Sequence, residues 1–151
     1  MPSEGLDEMT AFLRRIRQTT PRKLLLLPRL LGGAPLLVFS AMHFRDPQHF
    51  RAILTAGGVP MVEVNVWAAS GAEMLGGLLL LTGFFARVGG LLGVGTMVPA
   101  ILTTVRLASL PDAPTVPPLP LPIMVLAASA LVVVFGGGAW SADARRIEPG
   151  C

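Results

Sequence analysis

The stretch VNVWAASGAEMLGGLLLLTG, residues 64–83, carries one charged side chain, Glu73, almost at the centre of an otherwise apolar run. As an α-helix this run is about 30 Å long, close to the hydrocarbon thickness of a bilayer. A carboxylate at that depth is neutralised, paired or in contact with water, because a bare charge in hydrocarbon is costly. Glu73 is therefore the first candidate functional residue.

Three further apolar blocks surround this run, at approximately Leu24–Phe44, Val88–Leu107 and Leu121–Gly137. Hydrophobic residues make up 52% of the chain and charged residues 14%, with a mean hydropathy of +0.66, whereas soluble domains are about 25% charged. Four helices with their connections use nearly all of the 151 residues. The sequence therefore predicts an all-α, polytopic membrane protein, built as an antiparallel four-helix transmembrane bundle.

The predicted organisation is a basic N-terminal arm (1–23), one membrane domain (24–140) and a short tail (141–151). About twenty polar residues precede the first block and no small-residue cleavage site follows it, so we expect a retained helix rather than a signal peptide. Within the arm, apolar residues recur at helical spacing. They are Leu6, Met9, Phe12, Leu13 and Ile16. This spacing favours an N-terminal amphipathic interfacial helix on an anionic leaflet, with a poorly ordered basic tail as the alternative.

Basic residues set the predicted orientation of the chain. Eight of them fall on the side of the two termini, namely Arg14, Arg15, Arg17, Arg22, Lys23, Arg87, Arg145 and Arg146. Three fall on the other side, namely Arg45, Arg51 and Arg106. We therefore expect both termini to be cytoplasmic. The same distribution explains the net charge of +3, and without a recognition motif it gives no reason to expect nucleic acid as a partner.

Several kinds of chemistry are disfavoured by the residue inventory. The single cysteine, Cys151, rules out an internal thiol–disulfide relay in the isolated chain. His43 and His49 are the only histidines, and no metal, haem or phosphate-loop motif accompanies them. We expect no metal and no intrinsic cofactor. Ion or solute carriage is also disfavoured, because one intramembrane carboxylate is little for a pathway and the two halves show no repeat.

Small residues flank the carboxylate at intervals of four. Ala69, Glu73 and Gly77 form one stripe, and Gly89 and Gly93 form a GxxxG pair in the third block. Such residues let neighbouring helices approach closely, so packing is the main interpretation. Prolines interrupt the pattern elsewhere. Those within helices, Pro28, Pro35 and Pro99, free backbone carbonyls, and six more crowd the last connection, which we expect to be an extended outer loop.

Two polar residues of the first block are candidate partners for Glu73. Arg29 lies near its cytoplasmic end, and the sequence leaves two arrangements open. Either Arg29 pairs with Glu73 directly or through water, or Arg29 snorkels to lipid phosphate and Glu73 is protonated or otherwise paired. His43 lies at the outer end of the block, where it is either a proton shuttle or an ordinary boundary residue.

The order of these residues resembles the DoxX family of small four-helix bacterial membrane proteins. The resemblance covers about residues 24–143 and is most specific from Glu73 to Arg87. It is carried by RLLGG (29–33), SAMHFRDPQHF (40–50), AGGVP (56–60), AEMLGGLLLLTGFFARVGGLL (72–92), MVPAI (97–101) and GGGAWSAD (136–143). Some relatives are subunits of thiosulfate:quinone oxidoreductase, and others are similar to components of membrane oxidoreductase complexes that handle thiol or oxidative stress. The proline-rich outer loop and the lack of internal cysteines depart from this pattern.

Residues and resemblance together lead to a redox-associated, quinone-linked subunit of a membrane oxidoreductase system in the bacterial cytoplasmic (inner) membrane. The expected catalytic residues are Glu73, Arg29 and His43, and the expected ligand contacts are Glu73, Gly77 and Met97. Quinone is the candidate ligand, and electrons must come from a partner subunit. Membrane lipids, other membrane or redox subunits and a second copy of the chain are the expected partners. The alternative is a non-catalytic accessory or structural subunit that packs through its glycine-rich faces.

Overall fold

The computed structural model describes residues 8–9, 11–12, 23–138 and 140–145, and contains no strand among them. Between residues 23 and 145, a 3₁₀ turn, Lys23–Leu25, is followed by six helices. They are α1 (Leu26–Arg45), α2 (Pro47–Ala56), α3 (Val62–Thr82), α4 (Ala86–Leu107), α5 (Pro120–Phe135) and α6 (Ala142–Arg145). The predicted all-helical fold is confirmed, and the four predicted spans differ from α1, α3, α4 and α5 by at most two residues at either end.

Three of these helices are long and apolar enough to cross a membrane. They are α1 with its preceding turn, α3 and α4, with 23, 21 and 22 residues. Helix α5 is equally apolar but has 16 residues, so its length is about 24 Å. Two of the prolines that we assigned to the last connection, Pro120 and Pro122, lie in its first turn, where no helical donor is lost. The extended connection therefore ends one residue before Pro120.

Helix α2 was not predicted from the sequence. Asp46 caps its start, because the side chain accepts a hydrogen bond from His49 N at 2.9 Å, and Pro47 occupies the first turn. Phe50 and Leu54 form its buried face and pack against Val66 of α3. The segment between the first two spans is therefore a short amphipathic helix that lies on the others.

The four long helices pack in a closed ring. Helix α1 lies against α3 and α5, and α4 lies against the same two helices on the opposite side. The buried apolar core sits where all four meet. Its members include Leu36, Phe39, Leu80, Met97, Val125 and Val132. Each long helix therefore has two close neighbours among the other three, and α2 covers a further part of α3.

Glycines make these helix pairs close. A Cβ on Gly77 would lie 2.9 Å from the carbonyl oxygen of Gly33, so α1 and α3 touch backbone to backbone there. A Cβ on Gly93 would clash with Oγ of Ser129 on α5. The GxxxG face that the accessory-subunit alternative assigned to a partner protein is thus used inside this chain.

One end of the molecule collects the start of α1, the turn between α3 and α4, and the segment after α5. The carboxylate of Asp143 accepts hydrogen bonds from Phe85 N and Ala86 N, both at 3.0 Å, and Asp143 N donates to Gly83 O at 3.1 Å. Phe85 is held there with a φ of 46°, an unusual conformation for a residue with a large side chain. Because α5 returns to the end at which α1 begins, the four long helices alternate in direction.

The predicted interfacial helix and the C-terminal tail lie largely outside the described residues. Of the N-terminal arm, residues 8–9 and 11–12 are described, and they are helical and exposed. The amphipathic arm therefore stays a prediction, as do the domain limits at 23 and 140.

Candidate functional site

Glu73 and His43 form a hydrogen-bonded pair between α3 and α1. His43 Nδ1 lies 2.9 Å from Glu73 Oε2, and the Glu73 side chain is 4% exposed against 20% for His43. The pair sits where the buried carboxylate meets the more accessible imidazole. Of the arrangements left open by the sequence, the structure shows Glu73 paired with a residue other than Arg29.

Arg29 occupies a different place from either of the two arrangements that the sequence left open. It is 2% exposed, which excludes snorkelling to lipid. Its guanidinium donates to the carbonyls of Leu80 and Leu81 at 2.8 Å each, and to those of Gly137 and Trp140 at 3.2 Å each. Leu80 lies seven residues beyond Glu73, roughly 10 Å along α3. Arg29 therefore joins the ends of α3 and α5 at one end of the molecule, away from the Glu73–His43 pair.

A cavity of about 360 Å³ adjoins this pair. Most of its wall is apolar, and it is bounded by α1, α2, α3, α4, the first turn of α5 and the end of the proline-rich connection. The lining residues are Phe39, His43, Phe50, Ile53, Leu54, Val59, Asn65, Ala68, Ala69, Ala72, Glu73, Leu91, Leu92, Gly95, Thr96, Met97, Pro99, Ala100, Thr103, Thr104, Val116, Pro117 and Pro122. An apolar cavity of this size with a few polar groups is typical of small-molecule sites.

Helix α2 and the proline-rich connection cover one end of the cavity, and we call them the roof (residues 47–56 and 113–119). Three contacts fix the roof. His49 Nε2 lies 2.9 Å from Thr115 O, Arg106 donates to Gly57 O at 3.0 Å, and Arg51 forms two hydrogen bonds with the carboxylate of Glu63, at 2.5 and 2.7 Å. The hydrogen bond to Glu63 raises the pKa of Arg51.

Phe50 links the roof to the polar pair. Its ring lies 3.6 Å from the imidazole of His43, with 4° between the two planes, so the rings are stacked. Phe50 was not among the candidate residues predicted from the sequence. The spacing of Phe50, Ile53 and Leu54 after a capping Asp–Pro pair was the signal that indicates an amphipathic helix here. Stacking on one face of the imidazole fixes its plane, which keeps Nδ1 directed at the carboxylate.

The two other predicted ligand contacts separate in the structure. Met97 is 2% exposed and lines the cavity. Gly77 is not among the lining residues, and its position against Gly33 and Leu37 makes it a packing residue of α1 and α3. The structure therefore brings together Glu73, His43 and Met97, and leaves Gly77 and Arg29 outside the cavity.

The arrangement can exchange protons with a molecule in the cavity, because a carboxylate and an imidazole share one hydrogen bond at its wall. Pro99 has no amide hydrogen to donate to the carbonyl of Gly95, one turn earlier. The Gly95 carbonyl therefore lacks its usual helical donor and is a further hydrogen-bond acceptor. Within the described residues, no group of three His, Cys, Asp or Glu side chains is placed to hold a metal ion.

Comparison with known proteins gives one result. A family model described as DoxX matches residues 24–106, more than half of the chain. The matched segment contains Arg29, His43, Glu73, Gly77 and Met97, and ends before the proline-rich connection. No curated protein and no solved structure matches the chain significantly.

Proposed function

This chain belongs to the DoxX family, and on that basis we propose that it is the quinone-binding, redox-associated subunit of a membrane oxidoreductase system. Its apolar helices and its family make it a multi-pass membrane protein. The proposal places it in the bacterial cytoplasmic membrane as an antiparallel four-helix bundle, with both termini on the cytoplasmic side. A partner subunit supplies the electrons.

The observation that carries this proposal is the Glu73–His43 pair at the wall of an apolar cavity, between helices long enough to span a membrane. Reduction of a quinone to a quinol takes two electrons and two protons, so a quinone site needs a proton donor inside an apolar pocket. A carboxyl group hydrogen-bonded to an imidazole can provide protons in such a setting. His43 is the more exposed member of the pair, and it connects the carboxyl group to the surroundings.

The proposed test measures quinone binding to the protein in lipid nanodiscs, with native mass spectrometry and equilibrium titration of decylubiquinone. Glu73→Gln keeps the shape of the side chain but removes its charge and proton. We expect the affinity to fall about tenfold, which corresponds to about 1.4 kcal/mol. His43→Gln is expected to act in the same direction.

Asp112→Asn is the control. Asp112 is exposed, lies outside the roof and does not line the cavity. Equal affinities in Glu73→Gln and Asp112→Asn would contradict the assignment of the site. A stable complex with other membrane proteins that holds no quinone and is insensitive to Glu73→Gln would favour the accessory-subunit alternative.

A further inference from the structure

Helices α3 and α4 are close at one end and lie on two sides of the cavity at the other. Near the turn that joins them, a Cβ on Gly76 would lie 3.1 Å from Cβ of Leu92 and 3.3 Å from the carbonyl oxygen of Gly89. Beyond this crossing, residues 65–73 of α3 and 91–104 of α4 both supply cavity wall. The gap between the two helices therefore narrows toward their turn, and the cavity lies in its wider part.

The wider part of this gap opens on the outer surface of the molecule. On α4, Leu91, Gly95 and Pro99 follow one another at intervals of one turn, and all three are both exposed and part of the cavity wall. On α3, Ala68 is likewise exposed and part of the wall. Residues that belong to the cavity and to the surface at the same time mark an opening between the two helices.

The surroundings of this opening are lipid rather than water. Both α3 and α4 are candidate membrane spans, so their exposed apolar faces lie in the hydrocarbon of the bilayer. The roof covers the end of the cavity at which α4 finishes, with Phe50, Val116 and Pro117 in the wall. The crossing at Gly76 and Leu92 narrows the opposite end. Neither the roof nor the crossing covers the side between α3 and α4, so a ligand can enter the cavity there.

Gly95 lies at the centre of the α4 edge of this opening. A Cβ built on Gly95 meets nothing within 4 Å, so the absence of a side chain there is not required by packing. Gly71 of α3 is the same in this respect, but it is not part of the cavity wall. Gly95 and Gly71 are thus both open glycines, and Gly95 is the one that borders the opening.

We propose that the cavity is loaded from the side, between α3 and α4, and that Gly95 keeps this entrance wide enough for a lipid-dissolved, long-chain ligand. The inference deepens the proposed function and rests on it, because it assigns the site to membrane-dissolved quinones whose tail remains in the bilayer. The Glu73–His43 pair then meets the headgroup, and Leu91, Gly95 and Ala68 border the tail.

The first test follows lipid chains directly and needs no quinone. The protein is placed in nanodiscs that contain phosphatidylcholine with a diazirine on one acyl chain, and labelled residues are mapped by mass spectrometry after illumination. We expect labelling of Glu73 in the wild type and about tenfold less in Gly95→Leu, equivalent to a loss of about 1.4 kcal/mol in the binding free energy of the acyl chain. Gly71→Leu should match the wild type, and Gly95→Ala should fall between.

The second test compares decylubiquinone with its tail-free benzoquinone in the same variants. Gly95→Leu should weaken binding of the long-chain quinone and leave the tail-free one unchanged. Absence of Glu73 labelling in the wild type, or equal labelling in the wild type and Gly95→Leu, would contradict the proposed lateral entrance. If labelling depends on Gly95 but the protein binds neither quinone, the lateral entrance is supported and the quinone proposal is contradicted. Thermal unfolding of each variant verifies that it is folded, as the open space at both glycines leads us to expect.

Discussion

At the scale of single residues, two buried polar groups divide the work between them. Glu73 is held by one neighbouring imidazole at the cavity wall, whereas Arg29 is held by four backbone carbonyls at the end of the molecule. The carbonyls belong to residues at the end of α3 and just after α5, which have few other ways to be satisfied without water. Arg29 therefore holds together the segments at that end of the fold, and Glu73 faces the cavity.

Arg29→Lys is expected to destabilise the protein without affecting the cavity. A lysine ammonium cannot reproduce the planar fork that reaches carbonyls of two segments, so at least one hydrogen bond to a charged group is lost, at about 2 kcal/mol. Unfolding followed by circular dichroism in a detergent titration measures this loss. Arg51→Lys, at an exposed pair, should change stability much less than Arg29→Lys does.

The same purified Arg29→Lys protein should bind decylubiquinone as the wild type does once it is folded. Loss of quinone binding with unchanged stability would instead restore the catalytic role that the sequence suggested for Arg29.

Glu73 could be found from the sequence because a charge inside an apolar run is visible there. Its partner could not, because α1 carries Arg29 near one end and His43 near the other. Whether Arg29 or His43 lies beside Glu73 depends on the rotation of α1 about its axis and on the offset of α1 from α3 along that axis. The close contact of Gly33 with Gly77 sets both, and no spacing in the sequence reports which glycines meet.

At the scale of elements, α2 links an ion pair at the surface to the buried site. Its exposed face carries Arg51, and its buried face places Phe50 on His43. Helices α1, α3, α4 and α5 were predictable from composition, because each apolar block is long. Helix α2 has 10 residues and only two buried side chains, so its signal is its cap and the spacing of a few apolar residues.

Phe50→Leu is expected to weaken quinone binding more than it weakens the fold. The substitution keeps an apolar side chain but removes the stacked ring, at about 1 kcal/mol, and releases the plane of the imidazole. Affinity for decylubiquinone, thermal stability and the ¹⁵N resonances of His43 measure the effect, and Phe50→Tyr should restore all three.

Val66→Ala provides the comparison, because Val66 packs in the same cluster as Phe50 but does not line the cavity. It should cost about 1–2 kcal/mol of stability and leave affinity and the imidazole resonances as they are. If the two variants change affinity equally, Phe50 acts through packing alone.

At the scale of the whole molecule, the short α5 decides the topology. Three long spans alone would place the two ends of the chain on opposite sides of the membrane. The structure returns the segment after α5 to the start of α1, since Arg29 donates to Gly137 O and Trp140 O. A helix of 16 residues therefore runs alongside the three longer ones from end to end.

Reporters fused to each terminus should accordingly be found on the same, cytoplasmic side. A fluorescent protein that is active in the cytoplasm and a phosphatase that is active outside it distinguish the two sides. Fluorescence and no phosphatase activity are expected at both ends, in keeping with the excess of basic residues there. Reporters on opposite sides would mean that α5 does not cross the membrane.

The left-handed backbone of Phe85 has a consequence for how the protein is made. The carboxylate that holds this residue belongs to Asp143, 58 positions further along the chain. At ordinary translation rates, roughly 3–12 s separate the synthesis of the two residues. For several seconds the turn between α3 and α4 thus lacks the two hydrogen bonds to Asp143, and a nascent chain stalled before residue 143 cannot form them. The turn becomes native only when translation reaches the last part of the chain.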